Sequence, residues 1–390
     1  MKKIILLTLL ALSIVFGANR IGPVSEYGEL ITGAPNGKGY LYGSCKGVNT
    51  GDEVQVRGMS LYWSLLPDAT EFWNADAIGT MVKDMKIEVI RAAMATGNED
   101  WGADKGYGSD PNTQKNYVNA VVQAAIDNDI YVIIDWHSHE AHNQTESAKN
   151  FFREMAQKWG SYDNVIFEIF NEPQQVEWSV VKNYAEQVVP VIRQYSDNLI
   201  VIGNPQWSAT PNKANNNKVS GENLAYTFHY YAGTHKTTTE GKNVTSAMNA
   251  GLTVFVTEWG TGTADGKGDA NSFTNENNNW QTFLNNNKLS WANWSASKIN
   301  EGTAAFNGGA NRYSLSYSNS GNMLKGYLSS NKTSYTKCGG TITPPSSSSE
   351  QIDRISTKPK TQNPSLLRKV YNAMGRLLEK TNNWQPSYEK

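Results

Sequence analysis

The feature that most constrains the fold of this chain is a recurring unit of a short apolar run, a loop and an amphipathic segment. Eight such runs begin near Val54, Ile87, Ile130, Asn164, Asn198, Asn223, Leu252 and Lys288. They are rich in β-branched and aromatic residues, as buried strands are, and intervals of about 25 to 45 residues leave room for a helix after each strand. Strands that alternate with helices predict a parallel sheet covered by those helices.

The segments between the runs carry apolar residues at the spacing of one helix face. Three examples are the stripe Ile78, Met81, Val82 and Met85, the stripe Val118, Val121, Val122 and Ala125, and the stripe Val181, Tyr184, Val188, Val191 and Ile192. An open, doubly wound sheet produces similar local patterns, but eight units and the lack of a Gly-rich phosphate loop favour a closed barrel. We therefore predict an α/β fold, a (β/α)8 TIM barrel, with an N-terminal β-hairpin in residues 39–57.

The two ends of the chain differ in composition from the middle. Lys2 and Lys3 precede an apolar run that ends at Phe16 and is followed by small residues, which predicts a signal peptide over residues 1–18. That run is too short for a bilayer span, and no other stretch approaches about 18 apolar residues, so we expect a secreted protein without a membrane span. The barrel domain is predicted to cover residues 19–340, followed by a Pro/Ser linker over 341–350.

The tail, residues 351–390, contains eight Lys or Arg and three Asp or Glu, a net charge of +5. Forty residues are too few for an ordinary stable domain. The segment 370–378 weakly resembles the Tyr-x-x-x-Gly-Arg strand of C-terminal sorting tails on some Gram-negative secreted proteins, which implies contact with secretion or cell-surface machinery. A disordered basic tail is the alternative.

Charge and cysteine content narrow the partners and the compartment. The net charge of −1 gives no reason to expect nucleic acid or an anionic membrane as a partner. Cys45 and Cys338 stand near the two ends of the predicted domain, where a disulfide would join the N-terminal segment to the end of the barrel. Two unpaired buried thiols are the alternative, and the sequence gives no distance with which to choose.

Polar or aromatic residues stand where the apolar runs end, and in a βα barrel functional side chains gather at those strand ends. Two runs end in a glutamate, Glu172 after residues 165–170 and Glu258 after residues 252–257. Paired carboxyls suggest the acid and the nucleophile of glycoside hydrolysis. The strand ends together carry Arg91, His137, Asn171 with Glu172, His229 with Tyr231, Glu258, and Trp291 with Trp294.

Six motifs carry a resemblance to a known family. They are Arg91-Ala92-Ala93-Met94, Asp135-Trp136-His137, Glu168-Ile169-Phe170-Asn171-Glu172-Pro173, Thr227-Phe228-His229-Tyr230-Tyr231-Ala232, Phe255-Val256-Thr257-Glu258-Trp259-Gly260 and Ser290-Trp291-Ala292-Asn293-Trp294-Ser295. In this order they resemble glycoside hydrolase family 5, and within it the bacterial endoglucanases, over residues from about Val24 to Leu328. The resemblance implies a secreted enzyme that hydrolyses β-1,4-glucan such as cellulose with retention, without a cofactor.

The resemblance implies that Glu172 is the acid/base and Glu258 the nucleophile. Because Glu172 must donate a proton, we expect its pKa to be raised. Arg91 should stabilise the charged form of Glu258, and Tyr231 can hydrogen-bond the nucleophile. Asn171 can bind the sugar 2-hydroxyl. The resemblance also gives substrate-binding positions to His137, His229, Trp294 and Glu301, and Trp207 is a candidate platform on the leaving-group side.

Some of these residues have alternative interpretations. Arg91 can instead neutralise Glu168, which we interpret as a structural acid inside the barrel. The cluster of His137, His139 and His142 lacks a ligand spacing or a cysteine partner, so we predict no metal and place His139 and His142 in a polar loop. Trp291 is interpreted as a packing residue, and Lys298 lies one residue closer to Trp294 than the lysine of the family.

The chain departs from the family pattern at two positions near the nonreducing-side subsites. Tyr62 replaces a histidine and Ala95 replaces a tyrosine, with Trp63 or Trp73 as candidates to compensate by stacking. These departures leave open the same mechanism acting on mannan, xyloglucan or mixed-linkage β-glucan. A non-catalytic carbohydrate-binding barrel is the alternative from a different class.

Overall fold

The computed structural model describes residues 20–97 and 105–339, and this part of the chain forms a closed barrel of parallel strands beside a small antiparallel hairpin. The hairpin strands are β1 (Leu30–Gly33) and β2 (Tyr40–Gly43). The barrel strands are β3 (Arg57–Leu61), β4 (Val89–Ala95), β5 (Tyr131–His137), β6 (Val165–Glu168), β7 (Ile200–Ile202), β8 (Leu224–Tyr231), β9 (Thr253–Gly260) and β10 (Trp291–Ala296). Each barrel strand pairs with the next along the chain, and β10 pairs with β3, which confirms the predicted (β/α)8 barrel.

Helices and short helical turns alternate with the strands along the chain. They are α1 (Pro23–Tyr27), α2 (Pro67–Thr70), α3 (Ala75–Met85), α4 (Pro111–Asp127), α5 (Thr145–Trp159), α6 (Trp178–Ile192), α7 (Pro205–Ser208), α8 (Glu240–Asn249), α9 (Thr274–Asn286) and α10 (Asn319–Leu328), with 3-10 turns at Ala141–Asn143, Pro211–Ala214 and Ala270–Phe273. The predicted apolar stripes of α3, α4 and α6 are buried against the strands. Across the described ranges, none of the helices combines the length and apolar character that a bilayer span needs.

The hairpin lies earlier in the chain than predicted. The expected range was 39–57, but β1 precedes it, and residues 44–56 form turns and irregular backbone instead of a strand. The chain reverses between β1 and β2 near Asn36 and Gly37, where Gly37 has a φ of 82° that glycine adopts without steric cost. The Asn36-Gly37 pair is a stronger hairpin signal than the turn around Gly51. That second turn lies between β2 and β3, which do not pair with each other.

Alternation of side chains along each strand creates two faces. On β5, Val132, Ile134 and Trp136 pack against the helices, while Tyr131 and Ile133 belong to the cluster inside the barrel. Successive side chains point to opposite faces, so Asp135 and His137 continue the inner face toward the carboxyl end. The same alternation puts Arg91 after Val89 on β4, Glu168 after Ile166 on β6, and Thr227, His229 and Tyr231 after Ala225 on β8.

The amino-terminal end of the barrel is closed by the hairpin and α1. Leu30 and Leu41 of the hairpin join the inner cluster, and the Tyr131 hydroxyl donates a hydrogen bond of 2.6 Å to the Gly28 carbonyl. The opposite end, where the polar residues lie, is therefore the open one.

A disulfide joins Cys45 to Cys338, with Cα atoms 5.8 Å apart, so of the two alternatives the structure contains the bridge. The same C-terminal segment binds the barrel through the Tyr335 hydroxyl, which donates to Glu88 at 2.7 Å. The predicted signal peptide (1–18), linker (341–350) and tail (351–390) lie outside the described residues.

Replacing Cys45 and Cys338 together with serine should lower the free energy of unfolding by about 2–5 kcal/mol, because the bridge restricts the unfolded chain. Unfolding in guanidinium chloride measures the change. Addition of reductant to the double variant is the control and should have no further effect. Equal unfolding free energies with and without the bridge would contradict this account.

Candidate active site

Arg91, fully buried on the inner face of β4, binds three carboxyl groups. Its Nε is 2.6 Å from Glu168 Oε2, Nη1 is 2.9 Å from Glu258 Oε2, and Nη2 is 2.9 Å from Asp135 Oδ2. Burial by itself lowers the pKa of Arg91, but the three carboxylates outweigh it and raise the pKa. Both interpretations of Arg91 are therefore correct, since it neutralises Glu168 and also holds Glu258.

The Glu258 carboxyl is fixed at both oxygens. Arg91 donates to Oε2, and the Tyr231 hydroxyl donates to Oε1 at 2.7 Å, which is the predicted contact with Tyr231. Burial and the nearby charge of Glu172 raise the pKa of Glu258, while Arg91 and the Tyr231 hydrogen bond act in the opposite direction. The two donors leave the carboxyl little freedom to rotate, as a nucleophile that must attack along one line requires.

Two imidazoles hold the Glu172 carboxyl. His229 Nδ1 lies 2.8 Å from Oε1, and His139 Nε2 lies 3.2 Å from Oε2. His139 lies in the loop after β5, as predicted, and this loop turns back so that the imidazole contacts Glu172, a contact that the sequence did not indicate. His142 is not in a purely polar setting, since its ring stacks on Phe170 with centroids 5.9 Å apart.

The expected rise in the Glu172 pKa is not present in this arrangement. Burial acts to raise it, but the hydrogen bonds and charges of His139 and His229 outweigh burial and lower the pKa of Glu172 to about 2. The expected rise followed from the need of Glu172 to donate a proton and took no account of the two imidazoles beside it. In the substrate-free site, the carboxylate form of Glu172 is therefore favoured when both imidazoles donate to it.

A chain of hydrogen bonds determines which nitrogen of His229 carries a proton. The Thr257 hydroxyl lies 2.6 Å from Glu168 Oε1 and 2.9 Å from His229 Nε2. Glu168, ion-paired with Arg91, accepts the hydroxyl proton, so the Thr257 oxygen must accept from His229 Nε2–H. Only one proton then remains for the contact between His229 Nδ1 and Glu172 Oε1. The pair is either imidazolium with carboxylate or imidazole with carboxylic acid.

Asn171 and His137 complete the floor of the site. Asn171 Oδ1 is 2.6 Å from Arg91 Nη2, and because a guanidinium only donates, the oxygen must face Arg91 and the NH2 group is the end that can donate to a sugar hydroxyl. His137 Nδ1 is 2.6 Å from Asp135 Oδ2. Burial and the charge of Arg91 lower the pKa of His137, so its imidazole is neutral at ordinary pH.

Trp207 lies on one side of Glu172, beside a cavity of about 410 Å³. The cavity is lined by Glu172, Gln206, Trp207, His229, Tyr231, His235, Ala264 and Asp265. Trp207 is 43% exposed, which leaves a ring face for a ligand. Gln206, Trp207 and Ser208 all have left-handed φ angles between 53° and 60°, a costly conformation for residues other than glycine.

The strained turn is held by the segment that carries Glu172. Trp207 N donates to the Pro173 carbonyl at 2.9 Å, and the Ser208 hydroxyl donates to the Asn171 carbonyl at 2.7 Å. These two hydrogen bonds fix the position of Trp207 relative to Glu172. His235, which sequence reasoning missed, lies under this cavity, with Nδ1 accepting a hydrogen bond of 2.8 Å from the Tyr231 backbone N–H.

Tyr62, Trp294 and Glu301 form a second group of residues near the site. The Tyr62 hydroxyl donates to Glu301 Oε1 at 3.1 Å, and its ring packs on Trp294 with centroids 5.0 Å apart. The Trp294 ring is parallel to that of His137, 5.3 Å away. Tyr62, at the position of the family histidine, therefore positions the predicted substrate-binding acid Glu301.

The remaining candidates near this group differ in position. Trp63 packs edge-on against His137 at 4.0 Å, whereas Trp73 is buried in the core and cannot stack on a substrate. Trp291 packs in the core, as predicted. Lys298 forms an ion pair of 2.5 Å with Glu71.

Glu172, His229 and Glu258 offer atoms that all lie within 4.8 Å of one another. An oxygen of Glu172 within 4.8 Å of an oxygen of Glu258 fits a retaining mechanism, since an inverting enzyme needs about 6.5–9.5 Å between the carboxyl groups to admit a water molecule. Among the residues that the structure describes, the same three side chains could also chelate a cation. A bound ion would, however, displace the proton that His229 and Glu172 share. The absence of a metal requirement stays a prediction.

Comparison with known proteins agrees with this geometry. The pattern of the cellulase family, glycosyl hydrolase family 5, matches residues 48–300. The chain is 45% identical over 252 residues to Endoglucanase Z of Dickeya dadantii, covering 64% of this chain and 57% of that protein. It is 42% identical over 271 residues to Endoglucanase A of Evansella cellulosilytica, covering 67% of this chain and 52% of that protein.

Solved structures give the same result. A protein of Cytophaga hutchinsonii superposes with a TM-score of 0.71 at 38% identity, covering 78% of this chain and 95% of that one. The catalytic domain of endoglucanase Cel5A of Thermobifida fusca superposes with a TM-score of 0.71 at 29% identity, covering 79% of this chain and 100% of that one. This chain therefore belongs to glycosyl hydrolase family 5. Its match spans just over half the length of the Dickeya and Evansella relatives.

Trp207→Ala should raise KM for a soluble β-glucan about two- to tenfold with a smaller effect on kcat, because one aromatic contact contributes about 0.5–1.5 kcal/mol. Steady-state kinetics measure both constants. The matched control is Tyr195→Ala, because Tyr195 is equally exposed, at 42%, but lies between α6 and β7 at the other end of the barrel. An unchanged KM in Trp207→Ala would contradict the role of the ring as a sugar platform.

Proposed function

We propose that this chain is a secreted endo-β-1,4-glucanase that hydrolyses internal bonds of cellulose or soluble β-glucan with retention at the anomeric carbon. The observation that carries the proposal is the pair of carboxyls within 4.8 Å, one fixed by Arg91 and Tyr231 and the other by two imidazoles. Relatives named endoglucanases, at 45% and 42% identity, support the choice of substrate.

The first step forms a covalent glycosyl-enzyme intermediate. A Glu258 oxygen attacks the anomeric carbon, the bond from that carbon to the glycosidic oxygen breaks, and Glu172 transfers its proton to the departing oxygen. As the nucleophile bonds to carbon its charge falls, and Arg91 then remains paired with Glu168 and Asp135. The guanidinium therefore keeps its own charge balanced throughout the step.

The second step reverses the roles. Glu172, now a carboxylate, takes a proton from a water molecule, whose oxygen bonds to the anomeric carbon while the ester bond to Glu258 breaks. This returns a protonated Glu172 and an ionised Glu258. The imidazoles of His139 and His229 stabilise the carboxylate that exists between the two steps.

Glu172 must be protonated when the substrate is bound, although its pKa is lowered in the substrate-free site. The proton that His229 shares with Glu172 is already present at Nδ1 or Oε1. A polymer in the cleft excludes water and adds a burial penalty against the carboxylate, which moves this proton toward Glu172. Substrate binding thus supplies the rise in pKa that the first step needs.

Two separate groups of candidate sugar-binding residues near the carboxyl pair support internal cleavage. Trp207 and the cavity beside it offer a platform next to Glu172. Tyr62, Trp294 and Glu301 form the second group. A cleft occupied on both sides of the scissile bond accepts a chain in its middle, as an endo-acting enzyme does.

Export is part of the proposal. The signal peptide predicted over residues 1–18 and the Cys45–Cys338 disulfide both fit an oxidising compartment. We assign the basic tail, residues 351–390, to contact with secretion or cell-surface machinery, on the basis of its weak resemblance to sorting tails and its net charge of +5.

Glu172→Gln should lose activity on substrates with poor leaving groups by about 10²–10⁴-fold, because the departing oxygen has no proton donor. It should form the glycosyl-enzyme from 2,4-dinitrophenyl cellobioside, whose leaving group needs no acid. Glu258→Gln should be inactive on both. Glu140→Gln, which changes an exposed acid on the loop after β5, is the control and should behave as the wild type. Equal losses on both substrates in Glu172→Gln would contradict the assignment of the acid.

The polymer is tested by reducing-sugar release from carboxymethyl-cellulose, lichenan, mannan and xyloglucan, with Glu258→Gln as the blank. Fastest release from carboxymethyl-cellulose is the expected result. Release confined to mannan or xyloglucan would keep the mechanism, overturn the substrate and implicate Tyr62 and Ala95. No release from any polymer would favour the non-catalytic carbohydrate-binding alternative.

A further inference from the structure

The loop after β5 holds Glu172 at two points. The Glu172 backbone N–H donates to the Ser138 carbonyl at 3.3 Å, and His139 Nε2 lies 3.2 Å from Glu172 Oε2. The His139 ring packs edge-on against Trp63, with centroids 5.7 Å apart. Backbone and side chain of one loop thus fix the glutamate, in addition to the contact that His229 makes from β8.

We propose that His139 is a positioning residue for the acid/base, holding Glu172 Oε2 and balancing the two protonation states of the carboxyl. The proposal rests on the proposed function, because it assigns a second partner to the group that we place as the acid/base. It concerns a residue that the sequence motifs did not distinguish from its neighbour His142.

The two imidazoles that hold Glu172 differ in their surroundings. His229 is 2% exposed, and its Nε2 contacts the Thr257 hydroxyl, which in turn contacts Glu168 inside the barrel. The His139 side chain is 23% exposed and stands on the loop after β5. His139 therefore holds Glu172 Oε2 from the solvent side, whereas His229 holds Oε1 from the barrel interior.

Removal of the His139 hydrogen bond should change the pKa of Glu172 in a known direction. The bond favours the carboxylate and lowers the pKa of Glu172, so its loss should raise that pKa. Activity that needs a protonated Glu172 should then persist to higher pH. The other titratable groups facing or acting on Glu172 are His229, Tyr231 and His235 from β8 and the loop after it, Glu258 from β9, Asp265 from the loop after β9, and Asp135 and Arg91 beneath.

Three variants of the full chain separate positioning from packing. His139→Leu removes the hydrogen bond, His139→Gln keeps an N–H donor of similar reach without a titrating ring, and His142→Gln changes a histidine that stacks on Phe170. The substrates are 2,4-dinitrophenyl cellobioside, which needs no acid, and cellotetraose, which does. Thermal unfolding of each variant identifies any loss of fold.

His139→Leu should lower kcat on cellotetraose about ten- to hundredfold, the effect of losing one hydrogen bond to a charged group, with KM little changed. Glycosyl-enzyme formation from the dinitrophenyl substrate should be unaffected, and the alkaline limb of the pH profile should move to higher pH. His139→Gln should restore most of kcat, and His142→Gln should match the wild type. Equal effects of His139→Leu and His142→Gln would overturn the proposal.

A second readout does not depend on turnover. Titration of the 13C-labelled Glu172 carboxyl by NMR, with the resonance assigned by Glu172→Gln, should give a higher pKa in His139→Leu than in the wild type. An unchanged pKa would overturn the proposal. If the wild type hydrolyses no β-glucan, the proposed function fails on that result, and the titration still decides whether His139 acts on Glu172.

Discussion

One guanidinium buried among three carboxyl groups is the interaction on which the rest of the site depends. Arg91 has no solvent exposure, and its nitrogens lie 2.6–2.9 Å from Glu168, Glu258 and Asp135. Removing one partner of such a buried cluster leaves an uncompensated charge, which costs about 3–5 kcal/mol. The same cluster that holds β4, β5, β6 and β9 in position therefore also sets the orientation of the proposed nucleophile, so stability and chemistry cannot be varied separately here.

The barrel brings these groups together through a simple periodicity. Along each strand, every second side chain points into the barrel. These inward side chains are apolar near the amino-terminal end of the barrel and polar near the carboxyl end. This pattern is visible in the sequence, which is why the fold and the positions of Glu172, Glu258, Arg91 and Tyr231 could be predicted from strand ends. The family motifs then supplied the roles, which periodicity alone does not give.

Contacts made by loops were less accessible to sequence reasoning. His139 and His142 stand three residues apart and look alike, yet only the path of the loop after β5 brings His139 to Glu172. The left-handed turn at residues 206–208 contains no glycine, so the sequence gives no sign of it. Thr257 contacts both His229 and Glu168 where the register between β8 and β9 shifts after Thr227, and no local pattern marks such a shift. The expected direction of the Glu172 pKa shift was wrong for the same reason, because that direction depends on the contacts with His139 and His229.

Glu258 and Glu172, which offer oxygens within 4.8 Å of each other, are proposed to act as nucleophile and acid/base in a double displacement. Proton NMR of cellotetraose hydrolysis in the first minutes, before mutarotation, distinguishes this mechanism from inversion. The newly formed reducing end should appear first as the β-anomer, because two inversions restore the original configuration. Initial release of the α-anomer would rule out the double displacement, since it would require direct attack by water and a wider separation of the carboxyls.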